Sequence, residues 1–321
     1  MTAIRLDELK EVLSLPNLWD VITHGDQADR RRYEVGMAAA GLLLAASLVL
    51  SLGHQRALLK APATSTPRLR GLYQLMHLFP LVVALAAFMQ VAAPSFAVPV
   101  FILQEIWEAL ALHYFGLTII CLLGGEEATV RRLADHRGSL WRVPPCGCLV
   151  PLMPCLCPDA PFDAAMLAKM RWMVEQFCYV TPLTALLGAA LDREQNYQKH
   201  LHAAQGAVQV MRLASMFICL QALFALYMLS HHALQKYKTT AKFLSIKALI
   251  LLSVLQKALV MLALHAGVIG LHPSRLFTEA DAALRLQAFL LLAEVPFLQV
   301  LVNRAFPAEE LSASDLLEPL A

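Results

Sequence analysis

The side chains able to do chemistry in this sequence are few, and most interrupt long apolar runs. Gln104, Glu105 and Glu108 stand in the run 98–123, and Glu175 and Gln176 in the run 169–191. Lys247, Gln256, Lys257 and His265 stand in 243–268, and Glu294 and Asn303 in 282–304. Glu105 and Glu108 are three residues apart and so share one face of a helix. A charge at the middle of a bilayer costs at least ~2.5–3.5 kcal/mol, so it needs a partner or a wet cavity. At a rise of about 1.5 Å per residue, Glu108, Lys257 and Glu294 lie about 15, 16 and 18 Å below the same surface. Two readings follow. The three groups line one polar cavity that binds a solute or relays protons, or they form a buried ion pair that only fixes helix packing. Lys247 is shallower and can snorkel, and Glu175 has Arg171 as its i−4 neighbour.

A second constellation is CGCLVPLMPCLC, which sets Cys146, Cys148, Cys155 and Cys157 in a proline-broken link. Reduced thiols beside a membrane, among Leu, Val and Met, suit S-palmitoylation. Unmodified thiols and a zinc site are the alternatives, although the C-x-C spacing misses the usual C-x2–4-C of zinc sites. Cys121, Cys178 and Cys219 lie in apolar runs and read as packing residues. His77, His113 and His265 are scattered and read as packing or interfacial histidines, and His200 with His202 is a weak metal signal. No phosphate-binding glycine loop and no HExxH occurs in the sequence, and no nucleophile stands with a base. The expectation is a non-enzyme with no cofactor and no metal.

The elements that position these residues follow from composition. Of 321 residues, 58% are apolar and 16% are charged, with a mean hydropathy of +0.58. Soluble domains are about 45–50% apolar and about 25% charged. So few charges cannot cover a water-facing surface, and so much apolar area excludes disorder. The class is an all-α polytopic membrane protein. A formal net charge of +2 gives no field for nucleic acid.

Seven runs of the length a span requires are read near 34–53, 72–93, 98–123, 169–191, 207–231, 243–268 and 282–304. Residues 1–33 form a polar segment with no cleavable leader, either amphipathic on the membrane surface or a solvated arm. Residues 124–168 make a Cys/Pro-rich cytoplasmic link, and 305–321 a short, acidic, mobile tail. Orientation follows from Lys and Arg. Arg56, Lys60, Arg68, Arg70, Arg131, Arg132, Arg137, Arg142, Lys236, Lys238, Lys242 and Arg304 fall on one side. Arg193, Lys199 and Arg275 fall in links on the other, where Arg212 and Arg285 stand at helix starts, and Arg30, Arg31 and Arg32 dissent. The count puts the N-terminus outside and the C-terminus in the cytoplasm. The last run lacks the lysine of a retinal protein. LLGGEEATVRR stands where common G-protein-coupled receptors carry Asp-Arg-Tyr.

From about His54 to Phe306 the sequence resembles the organic solute transporter alpha and transmembrane protein 184 family. QEIWEALALHYFGLTIICLLGGEE is similar to the family's Arg-Asp-x-Tyr-Glu-Ala segment ending in Leu-Gly-Gly-Glu, which marks Glu105, Glu108, Gly124, Gly125 and Glu126. EQFCYVTPL carries Gln176, Phe177 and Pro182 of a second segment. KFLSIKALILLSVLQ carries Lys242, Phe243, Lys247, Ser253 and Gln256 of a third, and AEVPF matches the membrane-embedded Glu at Glu294. Thr181, Gln74 and Lys257 depart from the family pattern, and Lys257 is a candidate counter-charge for the acids.

The resemblance implies a seven-span fold with an outside N-terminus and facilitated movement of amphipathic organic anions such as steroid sulfates and bile acids. It also implies a small single-span beta-type partner subunit; a homo-oligomer is the other assembly. On this reading Glu105, Glu108, Gln176, Lys247, Gln256, Lys257 and Glu294 line the substrate cavity, in contact with membrane lipid and an amphipathic solute. The protein would sit in the plasma membrane or an endomembrane. The competing reading is a receptor-like or trafficking scaffold whose working surface is the acylated cysteine link.

Overall fold

A computed structural model describes residues 27–60, 67–93, 96–134, 137–138, 160–195, 201–266 and 279–311. The described chain is helical apart from one two-residue bridge. The helices are α1 (Gln27–Lys60), α2 (Pro67–Ala92), α3 (Ala97–Leu122), α4 (Glu126–Leu133), α5 (Ala164–Gln195), α6 (Leu201–Ser230), α7 (Thr239–His265) and α8 (Glu279–Ala305). Short 3-10 turns occupy Gln235–Tyr237 and Ala308–Leu311. The bridge pairs β1 (Arg137–Gly138) with β2 (Ala160–Pro161), antiparallel, Arg137 opposite Pro161.

Among the described residues six helices are long and apolar enough to cross a membrane: α1, α2, α3, α5, α6 and α8. The sixth expected span coincides with α7, where many side chains lie outside the described residues. Leu, Ile, Val, Phe and Ala fill these helices with few exposed polar interruptions, so their outward faces are apolar. Leu42, Tyr179 and Phe297 are 73%, 76% and 78% exposed. Such side chains suit hydrocarbon and not water. Helix α1 begins seven residues before the expected span, at Gln27. Part of the expected mobile tail is ordered: Leu311 is fully buried, because the chain turns back after α8 and packs its last described residues.

The chain falls into two compact units. One comprises Met1–Gly53, Leu78–Gln104 and Lys247–Leu301. Within it the Tyr33 hydroxyl donates to the carbonyls of Val91 and Ala92, and the Arg285 guanidinium lies 5.3 Å from the Tyr33 ring. Val295, Leu292 and Ala87 are among its fully buried side chains. The other comprises His54–His77, Glu105–Ile246 and Val302–Ala321. Its core includes Tyr73, Phe115, Leu123, Leu223 and Phe306. Phe243 there stacks on Tyr227 at 5.0 Å and meets Phe224 edge-on at 4.8 Å.

The link out of α3 shows why two adjacent glycines stand there. The Gly124 N–H donates to the Cys121 carbonyl and the Gly125 N–H reaches back to Ile120 at 2.9 Å. These two bonds are the Schellman closure of a helix C-terminus, which needs a left-handed residue. Gly124 has φ 93°. Gly125 has φ 95° and ψ −179°, a region open in practice only to glycine, and it starts α4 directly.

Candidate functional site

Within the second unit, α3, α5 and α6 bring together one polar cluster. Glu105 is buried and forms an ion pair with Arg212 of α6. Glu108, one turn further along α3, is half-buried and feels the charges of both Glu105 and Arg212. Gln176 of α5 completes the cluster. The Ser215 hydroxyl donates to its Oε1 at 2.6 Å, while its Nε2 donates to the Ser215 carbonyl at 2.9 Å and to Met173 at 3.0 Å. Every polar atom of that amide is thereby used, which is what burial demands. The Cys178 thiol donates to the Ala109 carbonyl at 3.4 Å and ties α5 to α3 just past the acids.

Beyond this cluster the same three helices turn apolar. A groove is lined by His113, Gly116 and Ile120 of α3, Val174 of α5, and Ala222 and Leu226 of α6. Gly116 lets α6 come close: a Cβ there would stand 3.3 Å from Leu223 Cδ2. At the far end Arg171 also borders the groove and is held by two carboxylates, Glu126 and Glu175. The Arg171–Glu175 pair is the i−4 pair expected from sequence.

A separate contact in the first unit joins α7 and α8. Gln256 is buried and donates through Nε2 to Glu294 at 3.3 Å. Glu294 is half-buried, two residues before Pro296, which lies inside α8. In the same unit, Gln90 of α2 donates to Gln104 of α3 at 3.4 Å.

The expected cavity residues are thus placed as follows. Glu105, Glu108 and Gln176 stand in one unit, and Gln256 meets Glu294 in the other. The side chains of Lys247 and Lys257 lie outside the described residues, as do Cys146, Cys148, Cys155 and Cys157. The cation that the structure sets against the α3 acids is Arg212, which sequence reading counted only as a charge near a helix start. Its signal was position. Arg212 stands nine residues after Ala203, where the apolar stretch of α6 opens, and Glu105 eight after the start of α3.

A second buried charge stands where the sequence gives only a cytoplasmic-side lysine and a family position. Lys242, at the first turn of α7, is fully buried and bonds Glu310 at 2.6 Å and the Tyr237 carbonyl at 2.5 Å. Tyr73 donates its hydroxyl to the same Glu310 oxygen at 2.8 Å. Close by, His77 is fully buried between Asn303 at 2.6 Å and Gln55 at 3.2 Å, and stacks on His54 at 4.6 Å. His54 in turn bonds the Phe306 carbonyl at 2.8 Å. Among the described residues no group of His, Cys, Asp or Glu could hold a metal ion.

Comparison with known proteins gives a family. The family described as organic solute transporter Ostalpha matches residues 36–311. Protein LAZ1 homolog 2 of Arabidopsis thaliana is 25% identical over 245 residues, covering 67% of this chain and 54% of the relative. The chain therefore spans about half the length of that curated relative. No solved structure gives a significant match. The family match begins inside α1 and ends at the last residue of the docked turn, taking in every charge pair just described, so this chain belongs to the organic solute transporter Ostalpha family.

Proposed function

We propose that the chain is a facilitated carrier of amphipathic organic anions, steroid- or bile-acid-like in build, in a seven-span membrane bundle with its N-terminus outside. One observation carries the reading: α3, α5 and α6 bear a polar cluster built on Arg212 and, further along the same helices, a small apolar groove. Glu105 to Ile120 is fifteen residues of α3, about 22 Å of helix. The first part is lined by Glu105, Glu108, Arg212 and Gln176, and the second by His113, Gly116, Val174 and Leu226. A molecule with a charged end and a flat apolar body matches that sequence of surfaces.

The chemistry is an exchange of partners. Arg212 rests on Glu105, so neither charge is left bare in a low-dielectric interior. A substrate sulfate or carboxylate takes over the guanidinium through paired N–H donors, the geometry arginine offers best. In the other unit, Lys247, Gln256, Lys257 and Glu294 stay solute-binding candidates of their own. Uniform binding in both directions suffices for a passive carrier.

The test is flux of a labelled steroid sulfate into proteoliposomes, with and without a single-span partner subunit. Saturable flux that falls at least tenfold in Arg212→Met and in Leu117→Trp, which fills the groove, supports the reading. Full flux in both variants, or none from folded wild-type protein in either condition, overturns it. Acylation of Cys146, Cys148, Cys155 and Cys157 belongs to the same proposal as a surface anchor. Labelling with an alkynyl palmitate, lost in the fourfold serine variant, checks it.

A further inference from the structure

Lys242 is the most completely buried cation among the described side chains, at 1% exposure, yet it lies at a helix start rather than deep in a span. Its ammonium sits 5.5 Å from the Tyr73 ring centre and 5.6 Å from that of Phe306, and those two rings meet edge to face at 5.2 Å. The remaining side is closed by the Tyr237 carbonyl and by Glu310. Glu310 Oε2 accepts from both Lys242 and the Tyr73 hydroxyl. Two donors, each fully buried, thus converge on one carboxylate oxygen, with aromatic faces beside them. That is an anion site, and the anion in it comes from a four-residue 3-10 turn after the last helix.

The site constrains how that turn can leave. A buried ammonium stripped of its anion is heavily penalised. Undocking of Ala308–Leu311 therefore requires a replacement anion for Lys242. We propose that Lys242 and Tyr73 form an anion-binding site that Glu310 occupies as a tethered competitor, and that an amphipathic sulfate or carboxylate displaces it and releases the C-terminal turn. The charged group takes the place of the Glu310 carboxylate, and an apolar body meets the rings of Tyr73 and Phe306. The amphipathic character of the ligand rests on the carrier reading; the convergent donors do not.

The effect is self-gating by the turn that follows α8. With no solute the turn is docked. With solute bound it is free, and the ends of α2, α7 and α8 that it ties together are released with it. Sources of the anion are a soluble organic sulfate or the headgroup of an acidic lipid.

Hydrogen exchange of the full-length protein tests this without any substitution. In phosphatidylcholine vesicles, a saturating steroid sulfate should raise exchange of the 305–311 amides at least fivefold, and the uncharged parent sterol should not. Vesicles containing phosphatidylserine, without sterol, test the lipid source. Unchanged or slower exchange with both anions overturns the proposal. As a second readout, Glu310→Gln should bind the labelled sulfate at least fivefold more tightly than wild type, and the double variant Lys242→Met/Glu310→Gln, which leaves no buried charge, should not bind at this site. Equal binding by wild type and Glu310→Gln would also overturn it. Saturable flux with no change in exchange would leave the carrier standing and remove only this site. A rise in exchange with no flux would do the reverse.

Discussion

The buried charges Glu105 and Lys242 are each held in an ion pair, and the pairs set what single substitutions should do. Arg212→Met leaves Glu105 buried without its cation, and Glu105→Gln leaves the guanidinium without its anion. Each should cost about 3 kcal/mol, the lower end for breaking a buried pair. The double variant should recover most of that loss, because two uncharged groups of similar size need no counter-charge. Thermal unfolding in lipid nanodiscs checks the cycle, and additive losses would contradict a direct pair. Ser215→Ala is milder. It takes the hydroxyl donor from Gln176 Oε1 but leaves the amide nitrogen its two carbonyls. A loss of about 1 kcal/mol is expected, typical of a single neutral hydrogen bond. At this scale the sequence was half legible. The i, i+3 spacing of Glu105 and Glu108 and the i, i+4 spacing of Arg171 and Glu175 are local and could be read directly. The partners Arg212 and Glu310 are separated from their mates by 107 and 68 residues. No periodicity encodes such a contact; only the packing of helices does.

Elements explain the residues that carry no charge. Gly124 and Gly125 close α3 and open α4 with positive φ at both positions. Gly125→Ala forces a Cβ into a backbone region that only glycine tolerates, and should cost about 1–3 kcal/mol. Gly124→Ala meets the Ala128 Cβ at 3.2 Å as well as its own φ, and should fall in the same range. A thermal shift in both, with Gly71→Ala unaffected as the control in open space, would confirm that backbone shape and not side-chain volume is at stake. Gly116→Val acts through packing instead. It pushes on Leu223 and should cost about 1–3 kcal/mol as an overpacked contact. The helices themselves were legible from run length and apolar content. Their ends were less so: α1 starts at Gln27, within a polar stretch that hydropathy alone excludes. The turn Ala308–Leu311 was unreadable as an ordered element, since four residues of mixed polarity have no period, and it is held by a lysine far away in sequence.

At the scale of the whole molecule, the charge distribution predicts sidedness. Cysteine reporters placed at 61–66 and at 312–321 should react only from the cytoplasm, and reporters at 196–200 only from outside. The opposite pattern would reverse the bundle and the direction in which Glu310 meets solute. Composition alone established the membrane class, because 16% charge leaves too little polar surface for water. What composition could not carry is which runs face lipid. Helix α1 shows it: Val35, Leu42, Val49 and Leu52 are all exposed and lie along one side of the helix, and the exposed charges Arg56 and Lys60 follow. Val35 to Leu52 is a rise of seventeen residues, about 26 Å at 1.5 Å per residue. The hydrocarbon layer of an average bilayer is about 30 Å thick, and that of sterol-rich membranes a few ångströms more. The greasy stripe is therefore too short for a thick membrane. In one, lipid must thin around α1 or the flanking arginine and lysine must stretch toward the surface; in a thin one the helix spans at ease, so lipid chain length selects where this protein settles.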